Sequence, residues 1–311
     1  MNNNIFYSAP LPWRRRHPVI FWLGIIVLLW LIFSIARGVY LAGQPGGPLS
    51  GPYLGVVHVE GTIMDSRPVL EWIDRLEKDK SAMGVLVRIE SPGGAVTPSE
   101  EIYTALARLA ETRPVVASMG AMAASGGYMV ALPAKAIVAN PTTLTGSVGV
   151  RMEMPNLQAL MDKIGVTHEA LASGELKAAG SPYSPFTDKE REYFMGIIQD
   201  MFNRFVSMVE KHRGLTPEAL KTISDGRAVT GRQALDLGLV DSLGDQARAL
   251  NVLKELCQTK EDLPLVEGPE KDDYSVLRLV LGETAFDRLA KVLDRLAAEA
   301  SEPGVARFYY Y

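Results

Sequence analysis

Residues 19 to 36 read VIFWLGIIVLLWLIFSIA, an apolar stretch without a single charge. As a helix it is about as long as the roughly 30 Å hydrocarbon layer of a bilayer is thick. A lone segment in lipid can satisfy its backbone hydrogen bonds only by coiling into a helix. The sequence therefore predicts a transmembrane anchor over 19–41, preceded by a short segment, 1–18. Arg14, Arg15 and Arg16 stand before the run and only Arg37 follows it closely. That asymmetry predicts a cytoplasmic amino end, with everything beyond the anchor on the outer side of a bacterial inner membrane. The rival reading is a cleaved signal peptide. The run exceeds the usual length of such a peptide's apolar core, and no small-x-small cleavage site follows it.

The stretch 42–52 is rich in Gly and Pro and reads as a linker. Beyond it, YLGVVHVEG (53–61) and MGVLVRIE (83–90) are β-branched apolar runs, with EWIDRLEKD (71–79) at helical spacing between them. The pattern recurs as a helix at 99–113, a strand at 114–120, a small-residue helix start at 123–132 and a strand at 135–140. A further strand is expected at 166–171. Strands alternating with helices predict an α/β domain over 53–265, with a mostly parallel sheet covered on both faces. A long charged helix, 186–213, carries Met195, Ile198, Met201, Phe202, Phe205 and Met208 on one stripe, which reads as a packing face. The last part, 266–311, predicts an amphipathic helix at 286–300 and ends in Phe308, Tyr309, Tyr310 and Tyr311.

Several chemistries lose support at once. The formal net charge of −4 gives no basic field for nucleic acid. Cys257 is the only cysteine, so neither an internal disulfide nor a cysteine metal cluster can form. His17, His58, His168 and His212 stand apart from any HExxH, and no GxSxG or GxxxxGK[ST] motif occurs. No metal and no cofactor is expected.

Two glycine-rich turns remain, RIESPGGAV (88–96) and ASMGAMAASGGYMV (117–130), each joining a strand to a helix. Glycines at Gly93 and Gly94 free the backbone to aim amides at a ligand, as an oxyanion hole requires. Ser125 lies at a helix start, where backbone amides favour a developing negative charge. From residue types alone, AASGG reads equally well as close packing of a helix on a sheet. A serine nucleophile needs a base, and with histidine absent a lysine is the candidate.

The segments SPGGAV, GAMAASGGYMVAL, NPTTLTGSVGV, SGELKAAGSP and GRAVTGRQALDLGLVD, in that order, resemble the signal peptide peptidase A (protease IV) family of Ser-Lys peptidases. The likeness runs from about residue 53 to 245. It implies a Clp protease/crotonase-like fold, with Ser125 as nucleophile, Lys177 as general base and Ser147 orienting the lysine amine. It also implies an oxyanion hole from Gly93 or Gly94 and the amide of Gly126. One copy of the catalytic domain is similar to the short form of the family, which implies a homo-oligomer whose neighbours share active sites. Lys177 could then serve the Ser125 of another subunit.

A lysine base must be neutral, although a free lysine has a pKa of about 10.4. Burial is what would lower it, and activity leaning toward alkaline pH is the expectation. The implied substrates are apolar peptides at the bilayer, such as signal peptide remnants. The aromatic tail is expected to occupy an apolar groove of the same or a neighbouring subunit. A crotonase-like acyl-CoA enzyme and an inactive membrane scaffold are the alternatives, and neither gives the anchor and the SGELK segment a joint use.

Overall fold

Along each central strand successive side chains leave on opposite faces, and here both faces are dry. The computed structural model describes residues 51–269, the short strand 308–310 and scattered positions between 22 and 33. In chain order the elements are β1 (Tyr53–Glu60), α1 (Arg67–Lys78), β2 (Ala82–Ser91), β3 (Gly94–Ala95), α2 (Val96–Ala110), β4 (Val115–Ala124) and α3 (Gly126–Ala131). There follow β5 (Ala136–Ala139), β6 (Leu144–Gly146), β7 (Arg151–Met152), α4 (Gln158–Ile164), α5 (Asp188–Arg213) and α6 (Pro217–Ile223). The series ends with β8 (Ala228–Thr230), α7 (Gly231–Asp236), β9 (Ser242–Leu243), α8 (Gln246–Leu256), β10 (Leu265–Gly268) and β11 (Phe308–Tyr310).

The main sheet runs β10-β1-β2-β4-β5-β9, all parallel, with β6 parallel to the end of β4 and β8 antiparallel to β6. Leu54, Val56, Leu86, Val116 and Val138 point to one face, where Ala249 and Leu253 of α8 cover them. Val57, Val59, Val85, Val87, Ile89, Val115, Ala117 and Ile137 point to the other, toward the larger core that includes α1, α2, α3 and α5. This two-sided burial explains why the strands read as continuous apolar runs. The expectation of a mostly parallel α/β sheet is met.

Local sequence sets the helix limits. Thr187 and Glu190 form a reciprocal capping box at the start of α5, and Gly214 ends it in a left-handed conformation. Only Phe205, Met208 and Val209 of this helix are buried. The expected packing face is therefore used in its carboxyl-terminal half, while Met195 stays 52% exposed. The strand expected at 166–171 does not form. Those residues are irregular and exposed, with Leu171 at 94%, so no neighbouring strand takes up their backbone groups.

The chain divides into two units, 1–49 and 50–311. In the first, Trp22, Leu23, Ile25, Val27, Leu28, Trp30 and Phe33 are helical, and Trp22, Trp30 and Phe33 are among its exposed side chains. Among the described residues no helix is long and apolar enough to cross a membrane. The rest of the segment 19–41 lies outside the described residues, as does the helix expected at 286–300.

Phe205 is fully buried where α5 meets the core. Phe205→Ala is expected to cost about 3–5 kcal/mol of stability. Denaturant unfolding followed through the fluorescence of buried Trp72 measures it.

Candidate active site

The strand β4 ends at Ala124 and α3 begins at Gly126, so the turn between them is the single residue Ser125. Its backbone sits at φ 55°, ψ −118°, a conformation that costs a non-glycine residue about 1–3 kcal/mol. Two backbone bonds hold it there. The Ser125 N–H donates to the Gly146 carbonyl at 2.8 Å, and its own carbonyl accepts from Met129 N–H at 2.9 Å. The side chain is fully buried, and its Oγ has no hydrogen-bond partner. A buried hydroxyl of this kind forfeits about 1–3 kcal/mol. The site lies at the carboxyl end of a central parallel strand, where α/β sheets present their ligand sites.

Glycines make the approach possible. A Cβ on Gly126 would lie 2.3 Å from Ser99 Oγ and 3.4 Å from Gly93 Cα. One on Gly127 would lie 2.8 Å from the Ser91 carbonyl oxygen. The amino end of α3 is thus pressed against the turn after β2, and the two glycine-rich turns of the sequence meet. Close packing and presentation of Ser125 are one arrangement here.

The amides of the first turn have separate tasks. The Gly93 N–H donates to Ser91 Oγ at 3.1 Å, and Ser91 Oγ donates to the Gly61 carbonyl at 2.6 Å. The Ala95 N–H donates to the Ile63 carbonyl at 2.8 Å, and Ile63 N–H to the Gly93 carbonyl at 2.9 Å. Extended backbone alternates its direction, so the Gly94 N–H faces away from Ile63. On that side β11 pairs antiparallel with β3, Tyr310 opposite Gly94 and Tyr309 opposite Ala95. The other edge of β11 pairs antiparallel with β7, Phe308 opposite Met152 and Tyr309 opposite Arg151. The tail strand thus lies between two short strands beside the Ser125 turn. Two-residue strands carry no readable period, and the sequence gave no sign of β3 or β7.

Ser147 follows Gly146 directly, is nearly buried, and also has a left-handed backbone at φ 53°. Its N–H donates to the Arg227 carbonyl at 2.8 Å. Lys177 stands apart from this group. It is exposed in a turn and its backbone N–H donates to Gly174. Since Ser125 Oγ has no partner, the two residues are not hydrogen-bonded within one chain. The surrounding segment also leaves Leu160 56% and Ile164 64% exposed.

The described histidines have other engagements. His58 meets Glu267 at 3.0 Å, His168 packs on Tyr183, and His212 Nε2 lies 2.8 Å from the Tyr103 hydroxyl. Burial pushes the pKa of His212 down. Among the described residues no three His, Cys, Asp or Glu side chains are placed to hold a metal ion.

With this geometry in view, the family described as peptidase family S49 matches residues 107–260, which contain Ser125, Ser147 and Lys177. A Synechocystis protein named as a protease is 38% identical over 239 residues, covering 75% of this chain and 85% of its own length. Protease 4 of Haemophilus influenzae is 32% identical over 77% of this chain and 42% of itself. An Enterococcus faecium protein carrying the name signal peptide peptidase SppA is 35% identical over 60% of this chain and 54% of itself. The chain thus spans about half the length of the last two.

Ser125→Ala is expected to raise stability by about 1 kcal/mol, because it removes an unsatisfied buried hydroxyl. Ser125→Gly adds relief of the left-handed backbone, about 1 kcal/mol more. Thermal unfolding of the two variants beside the parent chain tests the order Gly, Ala, Ser.

Proposed function

The chain belongs to peptidase family S49, and from that membership we propose that it is a membrane-anchored serine endopeptidase whose nucleophile is Ser125 and whose general base is Lys177 of a neighbouring copy. The observation that carries this reading is the Ser125 hydroxyl itself, buried, without a hydrogen-bond partner and held on a strained turn between two glycine-rich segments. Such strain gathers at functional sites, where the surrounding structure over-determines it.

Three further observations support the sharing. Lys177 does not reach Ser125 in its own chain. It rides on a segment whose apolar side chains, Leu160, Ile164 and Leu171, are uncovered in a single chain. An exposed apolar surface of that kind marks a contact with another protein. A second copy docked through it would cover those side chains and carry the amine to the serine. Ser147, next to the Gly146 carbonyl that holds the Ser125 amide, is placed to orient that amine.

In the reaction, the amine takes the Ser125 proton as Oγ bonds to the substrate carbonyl carbon. The tetrahedral oxyanion is held by the Gly126 amide at the start of α3 and by the Gly94 amide, which faces the cleft. The Gly93 amide, engaged with Ser91, supports the turn instead. The carbon–nitrogen bond then breaks, the departing amine takes the proton from the ammonium, and water hydrolyses the acyl-enzyme. Apolar peptides at the bilayer, including signal peptide remnants, are the proposed substrates, in keeping with the apolar run at 19–36 and the relative named as a signal peptide peptidase.

Mixing inactive Ser125→Ala and Lys177→Ala chains is expected to restore peptide hydrolysis on co-assembly. Full activity of Lys177→Ala alone rejects the lysine as base, and two inactive variants that stay inactive when co-assembled reject the sharing. A second measurement concerns the tail. Deleting residues 307–311 is expected to speed turnover of an added peptide, because β11 occupies the strand position between β3 and β7. Unchanged turnover and assembly would remove that role.

A further inference from the structure

Resting on the peptidase reading, we propose that a cavity beside β7 is a specificity pocket that takes one large apolar, uncharged side chain on the amino-terminal side of the scissile bond. The argument begins with β3 and β7, which offer backbone edges from opposite sides to whatever strand lies between them, as β11 does. Any extended peptide can add there through main-chain bonds, leaving selection to its alternate side chains.

The direction of that strand is fixed by its register. Tyr309 lies opposite Ala95 and Tyr310 opposite Gly94, so a chain in this position runs toward Gly93 as it proceeds to its carboxyl end. Gly93 lies against Gly126, next to Ser125. A peptide bound this way meets the nucleophile after passing between β3 and β7. The residues paired with those strands therefore precede the cut.

Directly opposed residues in a sheet share a face. The peptide residue opposite Met152, the position of Phe308 in the tail, projects to the face of Met152. On the neighbouring position, opposite Arg151, the side chain leaves on the other face. Met152 lines a cavity of about 310 Å³ walled by Met154, Phe186, Phe194, Met195 and Ile198. That volume is at the lower end for small-ligand sites and suits one large side chain.

The same cavity accounts for the amino-terminal half of the α5 stripe, which the domain's own core does not bury. Met195 and Ile198 belong to the helical pattern seen in the sequence and line this pocket. Arg191 also lines it, its guanidinium 5.4 Å from the centre of the Phe186 ring. A fixed positive charge at the pocket disfavours a lysine or arginine side chain as occupant.

The test is digestion of a mixed peptide library by the full chain, with cut sites read by mass spectrometry. Expected is enrichment of Leu, Met and Phe, and depletion of Lys and Arg, at one position before the cut. Ile198→Trp, which fills the cavity, should shift that position toward Ala and Gly by about tenfold in relative kcat/KM, leaving other positions unchanged. Met154→Trp serves as a second filling variant if the first does not fold. An unaltered profile in a folded filling variant overturns the pocket while leaving the peptidase reading intact. If no peptide is cut, the hydrolysis reading fails by itself, and the pocket is read by binding of fluorescent peptides to the Ser125→Ala chain. A Leu-to-Lys exchange at the position opposite Met152 should then weaken binding at least about tenfold. Equal affinities, or no binding of any peptide, overturn the proposal.

Discussion

A single residue carries the main sheet over into the next helix, and it is a serine in a backbone region that favours glycine. Ser125 persists there because everything around it is fixed first. Its N–H is taken by Gly146 and its carbonyl by Met129. The strand before it is paired on both sides, with β2 through Ser91 and Ala123 and with β6 through Ala124 and Gly146. The helix after it cannot retreat, since Gly126 and Gly127 already touch Ser99 and Ser91 with no Cβ of their own. Several kcal/mol of strain and desolvation are tolerable only because the core beneath is large and continuous. Tyr128, two turns of contact away from solvent, shows the depth: it is fully buried and its hydroxyl donates to the Leu239 carbonyl at 3.0 Å.

The same crowding explains why two distant glycine-rich segments form one site. Gly94 must lack a side chain, because a Cβ there would stand 2.2 Å from the Ile63 carbonyl oxygen. With Ile63 holding β3 from one side through two backbone bonds, the Gly94 amide has only the cleft to face. Gly126 is glycine because α2, through Ser99, occupies the space its Cβ would need. The residues that leave room for close packing are also the ones whose amides become available to a developing negative charge.

Much of this was legible in the sequence, and for identifiable reasons. Strands β1, β2, β4 and β5 are buried on both faces, so each is a run of Val, Ile, Leu and Ala that stands out against its flanks. The Ser91–Gly94 and Ser125–Gly127 turns announced themselves by composition. What escaped is what lacks a period or lacks an internal partner. The two-residue strands β3 and β7, and the tail strand between them, make backbone pairs that no hydrophobic pattern encodes. The expected strand at 166–171 failed because its apolar residues find nothing to pack on within one chain. A stripe such as Met195 to Met208 tells that a face will be covered; it does not tell that one half meets the core and the other half a cleft.

The uncovered segment and the unsatisfied serine are complementary defects. A chain alone leaves Leu160, Ile164 and Leu171 in water, and it leaves Ser125 Oγ buried without a bond. Under the proposed sharing of sites, one association removes both: apolar area leaves water at about 25 cal/mol per Å², and the hydroxyl gains the partner whose absence costs about 1–3 kcal/mol. The incomplete site would then favour assembly as well as await it. A hydrolase arranged in this way has no competent nucleophile while its chains are separate, so chemistry and association would share one interface. Any substitution that weakens the docking of the Lys177 segment should therefore act on turnover before it acts on the fold of the individual chain.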